Sequence, residues 1–164
     1  MQPIFDKDRT CCFTGHRHIP PSDIPKLTAC MEETVEILIQ RSFDTFISGG
    51  ALGFDTLAAE TVLRLKKKHP HIRLVMALPC RNQQIKWSPY QQNKYNNILA
   101  QSDELIYLSE EYHTGCMHLR NRYMIDNSGL CIAYMTRSGG GTSYTVRYAE
   151  SQEVETVNIA YLII

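Results

Sequence analysis

The sequence has 164 residues, of which 17 are basic and 17 acidic, so it carries no formal net charge at neutral pH. This length suits one α/β domain, and we expect a single domain over residues 1–164. A neutral chain has no overall field that would gather nucleic acid, so any anion site must be local. No apolar run approaches the roughly 18 residues that span a membrane, and the first residues lack a signal-peptide pattern. These features predict a cytoplasmic protein with no membrane partner.

The six cysteines lack the spacing of a metal site. They include no Cys-x-x-Cys pair, so we expect reduced thiols and no bound metal. Cys11 and Cys12 are neighbours in the first predicted strand. Their side chains should therefore point to opposite faces of the sheet.

Apolar periodicity predicts strands that alternate with helices. The predicted strands cover residues 9–14, 45–47, 72–78, 104–108, 130–135 and 157–164. Helical patterns cover residues 24–38, 57–68 and 117–127, and another begins at Val146. This alternation predicts an α/β fold with one doubly wound, mostly parallel sheet and helices on both faces.

The stretch from Arg81 to Tyr95 mixes polar residues with Trp87, Pro89 and two tyrosines. Such a composition favours a mobile loop and a short helix near a site, which residues 97–100 then continue. Trp87 and Tyr90 have two interpretations: they stack on a base, or they pack the loop against the body of the protein.

A glycine-rich turn follows the second predicted strand and leads into a helix. Its sequence runs Ser48-Gly-Gly-Ala-Leu-Gly-Phe-Asp55. Such a turn brings backbone N–H groups and the positive end of a helix dipole to one point, where an anion can approach closely. The spacing of Ser48, Gly50 and Gly53 is a variant of the dinucleotide fingerprint. The turn therefore indicates a phosphate site, although a tight βα turn without a ligand has the same pattern.

Two other polar loops with glycine follow predicted strands, at residues 14–18 and 138–142. In a parallel sheet all three loops lie at the carboxyl edge, where such folds bind ligands. With two residues from the helix at 117–127, they give the candidate site: Gly15, His16, Arg17, Ser48, Gly49, Gly50, Ala51, Gly53, Asp55, Arg120, Asn121, Gly139, Gly140, Gly141, Thr142 and Thr145.

Several of these side chains have a predicted role. Arg17 would clamp a phosphate with its planar guanidinium, or else pair with a surface carboxylate. Asp55 would accept hydrogen bonds from ribose hydroxyls or order its own loop, because a carboxylate repels phosphate. Arg120 and Asn121 stand near a helix start, where the dipole disfavours a cation, so we expect an anionic partner nearby. His16 is a phosphate donor, a base or a loop cap.

Four motifs together resemble the YpsA-like branch of the SLOG superfamily, which groups DprA-type and LOG-type proteins. They are Thr14-Gly-His-Arg17, the turn from Ser48 to Asp55, Arg120-Asn121 and Gly139-Gly-Gly-Thr142. The resemblance implies a Rossmann-like fold and a nucleotide-derived ligand. We expect a nucleotide or a dinucleotide of the ADP-ribose or NAD type.

The LOG-type relatives suggest a phosphoribohydrolase, which releases a base from a nucleoside monophosphate. Their catalytic glutamate stands three residues after the threonine of the glycine loop, and here that position is Thr145. A hydroxyl of ordinary pKa cannot replace the carboxylate. The sequence therefore favours a binding protein over an enzyme and assigns no catalytic residue.

The DprA-type relatives suggest binding of single-stranded DNA, because Arg120-Asn121-Arg122 resembles their Arg-Asn-Arg motif. A small cationic groove would combine those arginines with Arg17, Arg137 and either Tyr90 or Trp87. Neutral net charge makes this the second hypothesis, with weak or no nucleic-acid binding expected. A third is a sensor whose nucleotide-bound state is read by a protein partner, with a homo-oligomer as one further expectation.

Overall fold

A computed structural model of the chain describes residues 5–163. Its strands are β1 (Thr10–Gly15), β2 (Thr45–Ser48), β3 (Arg73–Leu78), β4 (Glu104–Tyr107), β5 (Leu130–Tyr134) and β6 (Glu155–Asn158). Its α-helices are α1 (Ile24–Gln40), α2 (Phe54–Lys68), α3 (Pro89–Gln101), α4 (Cys116–Asp126) and α5 (Gly140–Ser151). Short 3₁₀ helices lie at Lys7–Arg9, Pro21–Asp23 and Ile159–Leu162.

The strands form one sheet in the order β4-β3-β2-β1-β5-β6, and every neighbouring pair is parallel. The chain first moves outward from β1 to β4, then returns to place β5 on the other side of β1. Cys12 therefore pairs in register with Ile47 of β2 on one side and with Cys131 of β5 on the other. The predicted doubly wound parallel sheet is confirmed.

Helices cover both faces of this sheet. Buried side chains of α1, α2 and α3 pack on one face, and those of α4 and α5 pack on the other. Cys11 belongs to the first of these cores and Cys12 to the second, which confirms their predicted opposite orientations. A strand covered on both sides excludes water from its whole length, as the fully buried Cys11–Phe13 segment shows.

The segment after β3 is more regular than the sequence predicts. Residues 81–87 form turns, and α3 then begins at Pro89 and runs for 13 residues. Ser88 starts it with a capping box, in which its hydroxyl accepts from Gln91 N–H at 3.2 Å while the Gln91 side chain accepts from Ser88 N–H at 3.0 Å. Tyr95 and Ile98 are buried. The helix is therefore longer than predicted and contributes to the core.

The last strand ends earlier than predicted. β6 stops at Asn158, and a 3₁₀ helix replaces the strand expected over the following residues. The Asn158 side chain accepts from Met135 N–H at 3.0 Å and donates to the Met135 carbonyl at 2.9 Å. It also accepts from Ala160 N–H, which turns the chain away from the sheet. Ile164, the end of the predicted strand, lies outside the described residues.

Candidate ligand-binding cleft

A cleft of about 310 Å³ opens at the carboxyl edge of the sheet, above β1 and β5. These strands are neighbours, but the chain leaves β1 toward one face and β5 toward the other. The loops that follow them diverge and leave a crevice. Ligands of open α/β sheets bind at such a switch point in strand order.

The cleft brings together most of the predicted site residues. It is lined by Gly15, His16, Arg17, Ala51, Asp55, Arg120, Asn121, Gly139, Gly140, Gly141 and Thr142. The structure adds Phe13, Thr14, His18, Met117, Met124 and Arg137. Five predicted residues are not among the lining: Ser48, Gly49, Gly50, Gly53 and Thr145. Of the additions, Arg137 matters most for charge, and only the alternative DNA groove included it.

The glycine turn after β2 uses its polar groups internally. The Ser48 hydroxyl donates to the Asp55 carbonyl at 2.9 Å and accepts from Gly50 N–H at 3.3 Å. Ala51 N–H donates to Asp55 Oδ2 at 3.2 Å, and Phe54 N–H donates to the His16 carbonyl at 3.1 Å. A side-chain carboxylate thus already occupies a backbone donor that the sequence assigned to phosphate.

The glycines of this turn are required by packing. Gly50 has a φ of 72°, and a Cβ there would lie 2.8 Å from Leu78 Cδ2. Gly53 has a φ of 79°, and a Cβ there would overlap the main chain of Arg17. The β1 and β2 loops can therefore touch backbone to backbone. The dinucleotide-like spacing reflects this contact between loops.

Arg120 is the buried tie between α4 and the β2 turn. Its side chain is 3% exposed, and its guanidinium donates to the Gly49 carbonyl and, at 3.5 Å, to the Ala77 carbonyl. Its Nε donates to Asn121 Oδ1 at 2.7 Å. Burial lowers the pKa of Arg120, and the nearby Asp55 carboxylate opposes that shift. The anionic partner expected for Arg120 is thus supplied at least partly by Asp55.

Asp55 is a carboxyl group that faces the cleft from the first turn of α2. It is 6% exposed, and burial raises its pKa, while the Arg120 guanidinium and the Ala51 N–H oppose the rise. One oxygen is engaged by the turn. The group is suited to accept a hydrogen bond from a neutral hydroxyl of a ligand.

His16 is held as a neutral ring. Its Nε2 accepts from Thr136 N–H at 3.0 Å, so the proton of the neutral tautomer lies on Nδ1. Burial lowers the pKa of His16, and the charge of Arg137 lowers it further. The ring meets Tyr134 edge-on, with 5.8 Å between centroids. His16 therefore fixes the start of the loop after β5 to the loop after β1.

The amino end of α5 is the open part of the cleft. Cβ atoms built on Gly139, Gly140 and Gly141 would meet no heavy atom within 4 Å. Main-chain N–H groups at this helix start have no intrahelical acceptor and carry the positive end of the dipole. The main chain is therefore accessible to an anion here, in contrast to the β2 turn.

Two arginines flank this opening. Arg17 and Arg137 both line the cleft, and within residues 5–163 neither has a carboxylate within ion-pair distance. The other two charged groups of the lining, Asp55 and Arg120, offset one another. The open side of the cleft is therefore cationic in a protein of zero net charge.

Thr145 is directed into its own helix. Its hydroxyl donates to the Gly141 carbonyl at 2.9 Å, and its side chain is buried. Among the described residues, no group of three or more His, Cys, Asp or Glu side chains is arranged to hold a metal ion. None of the helices within residues 5–163 is both long and apolar enough to span a membrane.

An open parallel sheet with a polar crevice at its switch point defines a Rossmann-like α/β protein. A family model described as the YspA SLOG family matches residues 13–164, and the chain belongs to this family. The resemblance found in the sequence motifs is thereby confirmed.

Relatives and solved structures extend this assignment. The chain is 36% identical to the SPbeta prophage-derived protein YoqJ of Bacillus subtilis, over 76% of this chain and 78% of YoqJ. It is 30% identical to a UPF0398 protein of Halalkalibacterium halodurans, over 85% of this chain and 74% of that protein.

Two DNA processing protein A structures share the fold. The one from Helicobacter pylori, described with its single-stranded DNA binding mode, has a TM-score of 0.68 at 21% identity. The one from Streptococcus pneumoniae has a TM-score of 0.67 at 14% identity. Each match covers 92% of this chain, but only 64% and 50% of those chains, respectively.

Proposed function

We propose that this protein binds a nucleotide-derived, phosphate-containing ligand in the cleft between β1 and β5. The observation that carries the proposal is the exposed amino end of α5 in a cleft that is also lined by two arginines without carboxylate partners among the described residues. Backbone N–H groups, a helix dipole and guanidinium groups are the donors that recur in phosphate sites. The phosphate therefore belongs at residues 139–142, with Arg17 and Arg137 beside it.

The rest of the cleft suits the sugar and base. Asp55 lines the cleft and can accept hydrogen bonds from ribose hydroxyls. On the α4 side, Met117 offers apolar surface, and Asn121 offers its amide NH₂ group, since its oxygen accepts from Arg120. A volume of about 310 Å³ lies at the small end of known ligand sites, about 300–1,000 Å³. The cleft alone therefore accommodates a mononucleotide-sized group.

Binding or sensing is favoured over turnover. The position of the LOG-type glutamate is Thr145, whose hydroxyl bonds to its own helix. Asp55 is the carboxylate of the cleft lining, and the turn and Arg120 already engage its charge. Under the sensor hypothesis, a partner protein would read the nucleotide-bound state.

Single-stranded DNA is the second candidate, because the Helicobacter pylori relative in fold is described as binding it. The proposed groove loses two of its arginines in this structure. Arg120 is buried, and Arg122 donates to the Tyr144 hydroxyl at 2.7 Å. Arg17 and Arg137 alone give few phosphate contacts, so we expect weak strand binding.

Calorimetric measurement of the Kd of ADP-ribose and of adenosine monophosphate tests the proposal. A ligand at 100 times its Kd should stabilise the protein by about 2.7 kcal/mol. Arg137→Ala should raise Kd by about 10- to 150-fold, since hydrogen bonds to charged groups contribute about 1.5–3 kcal/mol. Arg147→Ala is the matched control, because Arg147 is an exposed arginine of α5 outside the cleft lining. Equal loss in both variants, or no nucleotide response in the parent protein, would contradict the proposal.

A further inference from the structure

A second cavity, of about 400 Å³, lies beside the cleft and between α1, α2 and α3. The two cavities share Arg17 and His18 in their walls. The Arg17 main chain packs closely against Gly53, and the Arg17 side chain is exposed. Arg17 is therefore within reach of a ligand in either cavity.

The lining of the second cavity mixes polar side chains with a group of aromatic and aliphatic ones. Trp87 and Tyr95 meet edge to face with 5.2 Å between centroids. Tyr90 stands at the mouth with 74% of its surface exposed, although it is a large aromatic residue. Leu52 and Leu57 of the β2 turn and α2 add apolar surface. Tyr95 is buried, so Tyr90 and the half-buried Trp87 are the rings suited to stack on an aromatic ligand. The Lys94 ammonium lies 5.8 Å from the Tyr90 ring centroid.

The charges at the rim of this cavity are mostly neutralised. Lys94 pairs with Glu60 at 3.5 Å, and Arg64 pairs with Glu32 at 2.7 Å. Arg17 is the cation of this lining that lacks a carboxylate partner within residues 5–163. The cavity therefore presents an aromatic and aliphatic patch together with one available positive charge, that of Arg17, which also lines the cleft.

We infer that the second cavity binds an aromatic heterocycle, so that the ligand is a two-base nucleotide whose linking phosphate lies on Arg17. The inference rests on the proposed function, because it places the rest of that ligand in the first cleft. A mononucleotide would leave Trp87, Tyr90 and the shared wall unused. A free dinucleotide and two successive nucleotides of a single strand share this chemistry.

Trp87 is the single tryptophan of the chain and lies in this cavity, so its fluorescence reports occupancy directly. Titration with NAD should quench this fluorescence. Tyr90→Ala should raise the Kd of NAD by about 5- to 150-fold, since stacking on one base contributes about 1–3 kcal/mol. Tyr112→Ala, at another exposed tyrosine, lines neither cavity and should leave the Kd unchanged.

Calorimetry on the same samples separates the two claims. In one outcome, adenosine monophosphate or NAD binds with an affinity that Arg137→Ala weakens, while Trp87 fluorescence does not change and Tyr90→Ala leaves the Kd unaltered. That result would refute base binding in the second cavity but not ligand binding in the cleft. If no nucleotide binds, the proposed function fails.

A deoxyadenylate dinucleotide and a 20-residue oligodeoxythymidylate distinguish the two sources. Quenching by NAD alone assigns the second cavity to a free dinucleotide. Quenching by the deoxynucleotides alone assigns it to a strand. Either pattern supports base binding in the second cavity. If none of these ligands quenches the fluorescence, the inference is overturned.

Discussion

Individual charged residues do different work from what their positions in the sequence suggest. Arg120 belongs to a stretch that resembles a nucleic-acid-binding motif. Its guanidinium, however, already donates hydrogen bonds to the Gly49 carbonyl and to the side chain of Asn121. Arg17 and Arg137, which belong to loops, are the cations available to a ligand. Burial distinguishes the structural arginine from the two that a ligand can reach, and the burial of a side chain cannot be read directly from the sequence.

Replacing Arg120 should affect stability. Arg120→Met removes the donor to the Gly49 carbonyl and the positive charge that most favours the Asp55 carboxylate, ahead of Arg17. We expect the free energy of unfolding in urea to fall by about 1–3 kcal/mol, the cost of leaving a buried polar group unsatisfied. Arg147→Met, on the exposed side of α5, should change it by less than about 0.5 kcal/mol. Equal stabilities of the two variants would contradict the role of Arg120 in linking α4 to the β2 turn.

His16 should make stability depend on pH. Its folded pKa lies below the ordinary 6.5, so between those two values the unfolded chain binds more protons than the folded one. Stability should therefore be complete above about pH 6.5 and fall as the pH drops through the folded pKa. The measurement is the free energy of unfolding between pH 8 and pH 5 for the parent protein and for His16→Gln, which keeps an acceptor for Thr136 N–H. Parallel curves would show that His16 contributes nothing.

At the level of elements, the β2 turn and the glycine loop at the start of α5 have different roles. The β2 turn is closed by its own hydrogen bonds, and the amino end of α5 is open. Gly50→Ala should lower the free energy of unfolding by about 1–3 kcal/mol, because φ is 72° and the added methyl meets Leu78. Gly141→Val should change stability by less than about 0.5 kcal/mol, because its Cβ meets nothing, but should block the approach of phosphate. Unfolding and ligand titration of both variants check this, and the opposite pattern would place the site at the β2 turn.

Thr145 leads to a prediction about chemistry. Its hydroxyl is buried and bonded to the Gly141 carbonyl, so it cannot act as the acid of a phosphoribohydrolase. We expect no release of free base from nucleoside monophosphates when products are followed by chromatography. Turnover on the order of 1 per second would refute this, and its loss in Asp55→Asn would identify Asp55 as the acid.

The sequence predicts elements well where local pattern decides them. The apolar stripe of α1, with Leu27, Met31 and Val35 at helical spacing, is buried as its period requires. Sequence pattern fails where a side-chain hydrogen bond to the backbone decides the local structure. The pairing of Asn158 with Met135 ends β6 early, and Asp55 takes the backbone donor that a phosphate was expected to use. The capping box at Ser88 is a local signal that would have shown the start of α3.

At the scale of the whole molecule, strand order determines the site. The sequence predicts a parallel sheet, but the neighbours of β1 follow from the return of the chain to β5, which no local pattern encodes. That return puts the loops of β1 and β5 side by side and leaves the β2 turn as one wall of the cleft. A cationic opening then forms in a protein of zero net charge.

The salt dependence of binding tests the central claim most directly. We predict that ADP-ribose or NAD binds measurably at physiological salt, loses affinity only moderately as salt rises, and is weakened by Arg137→Ala but not by Arg147→Ala. A single-stranded oligonucleotide should bind weakly or undetectably under the same conditions. Nanomolar oligonucleotide binding, with affinity falling by a log–log slope of about −0.7 per phosphate contacted and with no response to nucleotides, would contradict the account.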